Sequence, residues 1–300
     1  METQFRLVDP QEVASLLASK SDPQPVLLEA HFTSPDHPLD PVADPSRHLP
    51  GAIQIHPSFL EAANDQSKYY PNYSKPEDGD LMSHARLVAS LHSLGITQNT
   101  PTIVYGSPPD ATLSAARIAW GLLVAGVSSV HMLDGGIDAW ANWGGDTVSE
   151  IQLLGENPDT LERASKNGLI NPRPEWVATI DQVERASSNP GDTNGKLIDV
   201  RNPGEFSGSL RNYYPFYSEA GHIPGAILQG NWCNLVESKT GKLRPMLEEV
   251  RSRWIDLGII DRDVECGRTE LIFYCGTGWR SSVSFLIASL LGYRAKNYDG

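Results

Sequence analysis

The sequence predicts an α/β protein built from two tandem copies of one domain, each a mainly parallel sheet flanked by helices on both faces. Three observations carry that expectation. The first is an internal repeat. Arg47-His48-Leu49-Pro50-Gly51-Ala52-Ile53 returns as Gly221-His222-Ile223-Pro224-Gly225-Ala226-Ile227, Thr102-Ile103-Val104-Tyr105 as Leu271-Ile272-Phe273-Tyr274, and Leu133-Asp134-Gly135 as Tyr298-Asp299-Gly300, in the same order and with slowly drifting spacing. The second is alternation of short apolar runs with amphipathic stretches, the pattern that builds parallel sheets covered on both sides. The third is length: 300 residues fit two domains of about 150 each.

Taken in chain order, 83–94 and 114–124 read as helices of the first copy, with 102–105 as a strand between them. A terminal helix follows Asp134-Gly135, through Gly136-Ile137-Asp138-Ala139-Trp140. In the second copy 196–200 and 270–274 are apolar runs of the kind that form buried strands. The stretch 246–257 is amphipathic, and 281–291 spaces Val283, Leu286, Ile287, Leu290 and Leu291 as a helix does, with Gly292 as its stop. Gly, Asn, Pro and charge without periodicity over 144–173 read as a connection. The expected domains are 5–145 and 174–300, with 146–173 linking them. The second copy ends at Gly300 without the terminal helix of the first, so it is expected either to be truncated or to be completed by other means.

Composition narrows the function. Hydrophobic residues are 40% and charged residues 20%, ordinary globular usage. A formal charge of −13 repels phosphate backbones, so nucleic acid is not an expected partner. No apolar run approaches the roughly 20 residues of a membrane span. Three cysteines, Cys233, Cys266 and Cys275, with no C-x-x-C pair, argue against a disulfide framework or a structural zinc site. The N-terminus has neither a signal nor a transit pattern. A cytoplasmic setting is therefore expected, unless a leader is missing from the sequence.

The segment that carries chemistry is Tyr274-Cys275-Gly276-Thr277-Gly278-Trp279-Arg280-Ser281-Ser282, between a strand and a helix. Such loops lie at the carboxyl edge of an open sheet, where ligands bind. Gly276 and Gly278 let successive N–H groups turn inward as an anion nest. The helix start and Arg280 add positive charge. A cysteine at the head of that loop has a lowered pKa, which makes Cys275 a nucleophile in a site shaped for a negatively charged sulfur.

These residues resemble the rhodanese (sulfurtransferase) superfamily in its tandem, thiosulfate/3-mercaptopyruvate sulfurtransferase-like form. The shared pieces are Leu197-Ile198-Asp199-Val200-Arg201 with Glu205-Phe206, the 221–226 turn, and the CGTGWRS loop of 275–281. The resemblance implies that Cys275 takes a sulfane sulfur as a persulfide from a small-molecule donor and passes it to a thiophilic acceptor, without cofactor or metal. The donor is of the thiosulfate or 3-mercaptopyruvate type. The acceptor is cyanide or a dithiol protein such as thioredoxin. It implies binding roles for Gly276, Thr277, Gly278, Trp279, Arg280, Ser281, Asp199 and Arg201. It also implies an inactive first domain, since Gly106 stands where Cys275 would. Relatives of this type usually carry a basic residue four positions after the one matching Arg201. Here that residue is Glu205, so an anionic donor would rely on Arg280, with Arg211 or Arg244 as further candidates.

Other readings stay open. Trp279 either lines a pocket or covers the loop. Asp199 and Arg201 either orient a substrate or form a buried ion pair. His48 and His222 occupy the same place in both copies, which favours architecture. Features confined to the second copy are expected to report chemistry: Cys275, Gly276, Gly278, Arg280, Asp199 and Arg201. A cysteine-dependent phosphatase or arsenate reductase would place arginine six positions after the cysteine; here Arg280 is five positions on. A protein-to-protein persulfide relay or a non-catalytic binding module is the remaining alternative, with the tyrosine-rich 212–217 segment as a docking candidate.

Overall fold

A computed structural model of the chain describes residues 4–31, 47–62, 79–108, 110–150, 170–189, 195–210 and 219–300. The 212–217 segment and Arg211 lie outside the described residues. Two compact units are present, one of Met1–Pro71 with Leu81–Arg173, the other of Asn72–Asp80 with Pro174–Gly300.

The first unit runs β1 (Gln4–Val8), α1 (Pro10–Ala18), β2 (Val26–Ala30), β3 (Ile53–Ile55), α2 (His84–Ser93), β4 (Thr102–Gly106), α3 (Ala111–Ala125), β5 (Ser129–Leu133) and α4 (Gly136–Trp143). The second runs β6 (Val177–Ala178), α5 (Ile180–Ser188), β7 (Lys196–Asp199), α6 (Pro203–Ser207), β8 (Ile227–Leu228), α7 (Leu247–Asp256), α8 (Arg262–Glu265), β9 (Leu271–Tyr274), α9 (Trp279–Leu290) and β10 (Ala295–Tyr298). The sheets have the orders β1-β5-β4-β2-β3 and β6-β10-β9-β7-β8. Every pair is parallel, so the repeat in sequence is a repeat in topology.

Local sequence explains the elements. Asp9 caps α1 in a reciprocal box with Glu12, and Pro10 supplies the fixed φ of a first helical residue. Thr179 and Gln182 form the same reciprocal box at the start of α5. The middle strands β4 and β9 are buried along their whole length. Helices α3 and α9 follow them and are buried along most of their length, with small polar residues such as Ser114, Ser282 and Ser284 among the apolar ones. Helix α9 begins at Trp279, two residues before the start that periodicity suggests. Gly278 takes φ +72 and ends the loop there, so Arg280 and Ser281 belong to the first helical turn.

The described ends of the expected connection pack on the first unit. Trp140 donates its indole N–H to the Asp146 carbonyl at 2.8 Å, and Val148 pairs with His48. Ile170 is buried, and Arg173 donates to the Val124 carbonyl at 2.8 Å. Gly126, at φ +103, closes α3 directly under the Asn171 carbonyl; a Cβ there would stand 1.7 Å from that oxygen.

Two histidines at the carboxyl edge of the first sheet make this unit acid-sensitive. His56 accepts the Ser58 backbone N–H through Nδ1 at 3.1 Å, a bond that needs the neutral ring. Burial and the neighbouring His31 lower its pKa from 6.5 to about 4. His31 is lowered too, chiefly by burial. A histidine depressed on folding leaves stability intact above its unfolded pKa and removes it as pH falls toward the folded value. Thermal unfolding should therefore be flat above about pH 6.5 and lose at least about 4 °C between there and pH 4, with a shallower loss in His56→Gln. An equally steep loss in His56→Gln would assign the acid sensitivity elsewhere.

Candidate active site

Cys275 follows the last residue of β9, the middle strand of its sheet, and stands at the N-terminal end of α9. Its side chain is only partly exposed. Burial alone would raise the thiol pKa. That penalty is outweighed by the charge of Arg280, the Ser281 hydroxyl, and the backbone N–H groups of Thr277 and Ser281, so the pKa is lowered. Ser281 donates its hydroxyl to Cys275 Sγ at 3.5 Å and is itself fully buried, which fixes its direction. Because the N-cap is Gly278, no capping side chain competes for the first-turn N–H groups. The cradle is made of fixed dipoles, which suits an anion without any reorganisation.

Arg280 does not project outward. Its Nη1 and Nη2 each donate to one oxygen of Glu205, both at 2.8 Å, in a two-pronged pair. Glu205 is placed by α6, where Asn202 and Glu205 form a reciprocal capping box behind Pro203. The Asn202 backbone and side-chain N–H groups donate to Glu205 Oε2 at 3.2 and 2.6 Å. Burial would raise the Glu205 pKa, but the Arg280 guanidinium and the Asn202 N–H hold it below the usual carboxylate range. The residue that departs from the usual basic position is thus the carboxylate that orients Arg280.

Asp199, fully buried, and Arg201, partly exposed, form a second pair. Arg201 donates through Nε and Nη2 to Asp199, the shortest contact being 2.6 Å, and through Nη2 to the Gly221 carbonyl at 2.7 Å. Its guanidinium lies over the Tyr274 ring, 5.8 Å from the centroid. Tyr274 accepts the Ile223 backbone N–H at 3.2 Å, and burial together with Asp199 raises its pKa.

The first unit repeats part of this. Glu29 sits opposite Tyr105 in register as Asp199 sits opposite Tyr274. Tyr105 donates to Glu29 at 2.6 Å and accepts the Leu49 N–H at 3.1 Å. An acid, a tyrosine and a turn N–H therefore tie the middle strand to the turn in both copies. This corrects the expectation that Asp199 is confined to the second copy: the acid reports architecture, and Arg201, whose counterpart is His31, is the part that differs. His222 and His48 also have structural partners, the Phe206 carbonyl at 2.8 Å and Glu29 at 2.7 Å.

Of the remaining candidates, Gly276 and Thr277 lie in the loop and Trp279 is buried at the first residue of α9. Cys233 and Cys266 are exposed on other elements. Arg244 is exposed on the turn before α7. Sequence reasoning did not find Asn297. From β10 its amide donates to the Gly278 carbonyl at 2.9 Å, holding the loop's last residue from beneath. Its register counterpart in the first unit is Met132, so the signal available was a polar residue where the first copy has an apolar one. Among the described residues, no group of three or more His, Cys, Asp or Glu could hold a metal ion. None of the described helices is long and apolar enough to cross a membrane.

In the first unit the position that matches Cys275 is closed to any side chain. A Cβ on Gly106 would stand 1.8 Å from the Ala111 carbonyl oxygen, so the backbone leaves no room for a side chain there.

Comparison with known proteins agrees with the duplication. The rhodanese-like domain matches residues 13–142 and again 179–300. A thiosulfate sulfurtransferase of Corynebacterium glutamicum is 28% identical over 260 residues, covering 84% of this chain and 75% of that protein. The sulfur carrier protein TtuD of Thermus thermophilus is 28% identical over 260 residues, covering 84% and 80%. Among solved structures, EanB with a cysteine persulfide, in a tetrahedral intermediate state with ergothioneine, aligns at a TM-score of 0.75 and 26% identity, over 98% of this chain and 67% of that one.

Two outcomes test the geometry. Ser281→Ala should raise the pH midpoint of Cys275 alkylation by about half a unit to one unit, since one donor to the sulfur anion is lost. An unchanged midpoint would mean that the hydroxyl does not serve the thiolate. Gly106→Cys should lower the melting temperature and give no thiol that accepts sulfur; a reactive thiol at that position would show that the first loop opens.

Proposed function

This chain belongs to the rhodanese-like domain family and is a sulfurtransferase, and we propose that it carries sulfane sulfur as a persulfide on Cys275 in its second unit. The observation that supports this most strongly is the convergence of Arg280, the Ser281 hydroxyl and two loop N–H groups on one sulfur atom. With a donor of the thiosulfate type, the Cys275 thiolate attacks the outer sulfur. A new S–S bond forms to Cys275, the donor S–S bond breaks, and sulfite leaves with the electron pair. With 3-mercaptopyruvate the C–S bond breaks instead, and the proton of the donor thiol ends on pyruvate. Cyanide or a thiol acceptor, such as a dithiol protein of the thioredoxin kind, then takes the outer sulfur and returns Cys275 to the thiolate.

In this reading Gly276, Thr277, Gly278 and Ser281 hold the persulfide, whose outer sulfur carries the charge that the thiolate carried before. Trp279 anchors the start of α9 from within the core. Arg280 compensates the anion, while Glu205 and Asn297 are positioning residues for Arg280 and for the loop. Asp199 and Arg201 brace the strand end and the 221–226 turn beside it. The first unit takes no chemical part in this reading, because Gly106 stands where Cys275 would and has no room for a side chain.

A second reading, a persulfide relay between proteins, draws support from two observations. Arg280 is already engaged by Glu205, and one relative is named a sulfur carrier protein. It uses the same Cys275 persulfide and differs only in donor and acceptor.

Incubation with thiosulfate, and separately with 3-mercaptopyruvate, followed by peptide mass analysis without reductant, tests the reading. One additional sulfur on the Cys275 peptide, removed by cyanide, is the expected result. Cys275→Ser should lose all turnover, and Cys233→Ser with Cys266→Ser should keep it. Turnover surviving in Cys275→Ser would rule the mechanism out.

A further inference from the structure

The two halves of a sulfur-transfer cycle make opposite demands on Cys275. In uptake its thiolate attacks the donor, and Sγ gives up its charge to the new S–S bond. In delivery an acceptor takes the outer sulfur, the persulfide S–S bond breaks, and the electron pair returns to Sγ. A group that stabilises charge on Sγ therefore slows the first step and speeds the second. Burial opposes that charge, and Arg280 is the strongest group that favours it. A lone guanidinium at this depth would pull hard, because charges act strongly where water is excluded. Arg280 is not alone. Its two terminal nitrogens each donate to Glu205 at 2.8 Å, and the side chains of the pair are only 11% and 3% exposed. Two Asn202 N–H groups also donate to Glu205, which fixes the carboxylate and keeps it ionised.

We propose that Glu205 tempers the pull of Arg280 on Cys275, and so balances the uptake of sulfur against its delivery. The inference rests on the reading of Cys275 as the sulfur carrier and adds how the reactivity of that sulfur is set. It holds for any donor, thiosulfate included. With its charge shared with Glu205, Arg280 steadies the thiolate without making it a poor nucleophile. Without Glu205 the same guanidinium would leave a weaker attacking sulfur and a better leaving group. Glu205 acts through Arg280, so it is a positioning residue and not a reacting group. At this edge also stand Asp199 and Arg201, paired with each other, Tyr274 beside them, His222 on the 221–226 turn, and Asp299 after β10. The test leaves all of these in place.

The test uses the full chain with Cys233→Ser and Cys266→Ser, so that only Cys275 reacts, and uncharged probes, so that attraction or repulsion of the probe does not enter. Glu205→Gln keeps the capping box, since glutamine serves at that position, and removes the charge. The pH profile of the reaction with 2,2′-dithiodipyridine gives the midpoint and the plateau rate of the thiolate. In Glu205→Gln the midpoint should fall by about half a unit to one unit, and the plateau by about two- to threefold. Delivery is read on protein loaded with thiosulfate and mixed with an uncharged phosphine. The phosphorus lone pair attacks the outer sulfur, the phosphine sulfide leaves, and Cys275 returns as the thiolate, with one negative charge before and one after. That step should be about two- to threefold faster in Glu205→Gln. A midpoint that rises would mean that Glu205 only holds Arg280 at the sulfur, and would overturn the proposal, as would one that stays. Should Glu205→Gln not fold, Arg280→Gln decides: it leaves Glu205 uncompensated and should raise the midpoint by at least about one unit, and no shift would overturn the proposal. Native Cys275 that takes no sulfur from thiosulfate would refute the underlying reading. Sulfur on Cys275 with an unmoved midpoint in Glu205→Gln would refute only this one.

Discussion

The site depends on holding a sulfur anion in a partly buried position without placing an uncompensated cation beside it. Desolvation opposes the thiolate, and the protein answers with fixed groups: two backbone N–H donors, a buried hydroxyl and one guanidinium. Each has its own support. Gly278 at φ +72 turns the chain from loop to helix, and the Thr277 and Ser281 N–H groups on either side of it face the sulfur. Asn297 holds the Gly278 carbonyl, and Glu205 holds Arg280. The support comes from three separate segments, β10, α6 and the loop itself, and the parallel sheet is what brings them to one edge.

The duplicated domain separates architecture from chemistry within a single chain. Tyr105 and Tyr274 occupy the same strand position, face an acid in the same register, and receive an N–H from the same turn. That set joins the middle strand to its neighbour and to the turn, and it is present whether or not a cysteine follows. What differs is concentrated after the strand. The second unit has a thiol, a glycine-bounded loop, an arginine in the first helical turn and a polar residue beneath. The first has Gly106 there, with a backbone carbonyl closing the space a side chain would need.

Much of this was legible in the sequence, for reasons that are physical. The repeat, the strand–loop–helix around Cys275 and the buried helices are local patterns, and they give element ends within a few residues. The role of Glu205 was not legible: its spacing from Asn202 signals a helix cap, but its meeting with Arg280 depends on two strand ends being adjacent in the sheet. Asp199 reads as a feature of one copy because Glu29 lies outside the matching segments, and only strand register reveals the equivalence. The start of α9 reads late because apolar periodicity begins after the first turn, where Trp279 and Arg280 serve the loop.

The most direct measurement is a crystal structure of the protein after incubation with thiosulfate under non-reducing conditions. The expected result is a second sulfur at about 2.05 Å from Cys275 Sγ, lying within reach of the N–H groups of 276–281, with the Arg280–Glu205 pair intact. An unmodified Cys275 in protein that has demonstrably taken up sulfur elsewhere would contradict it.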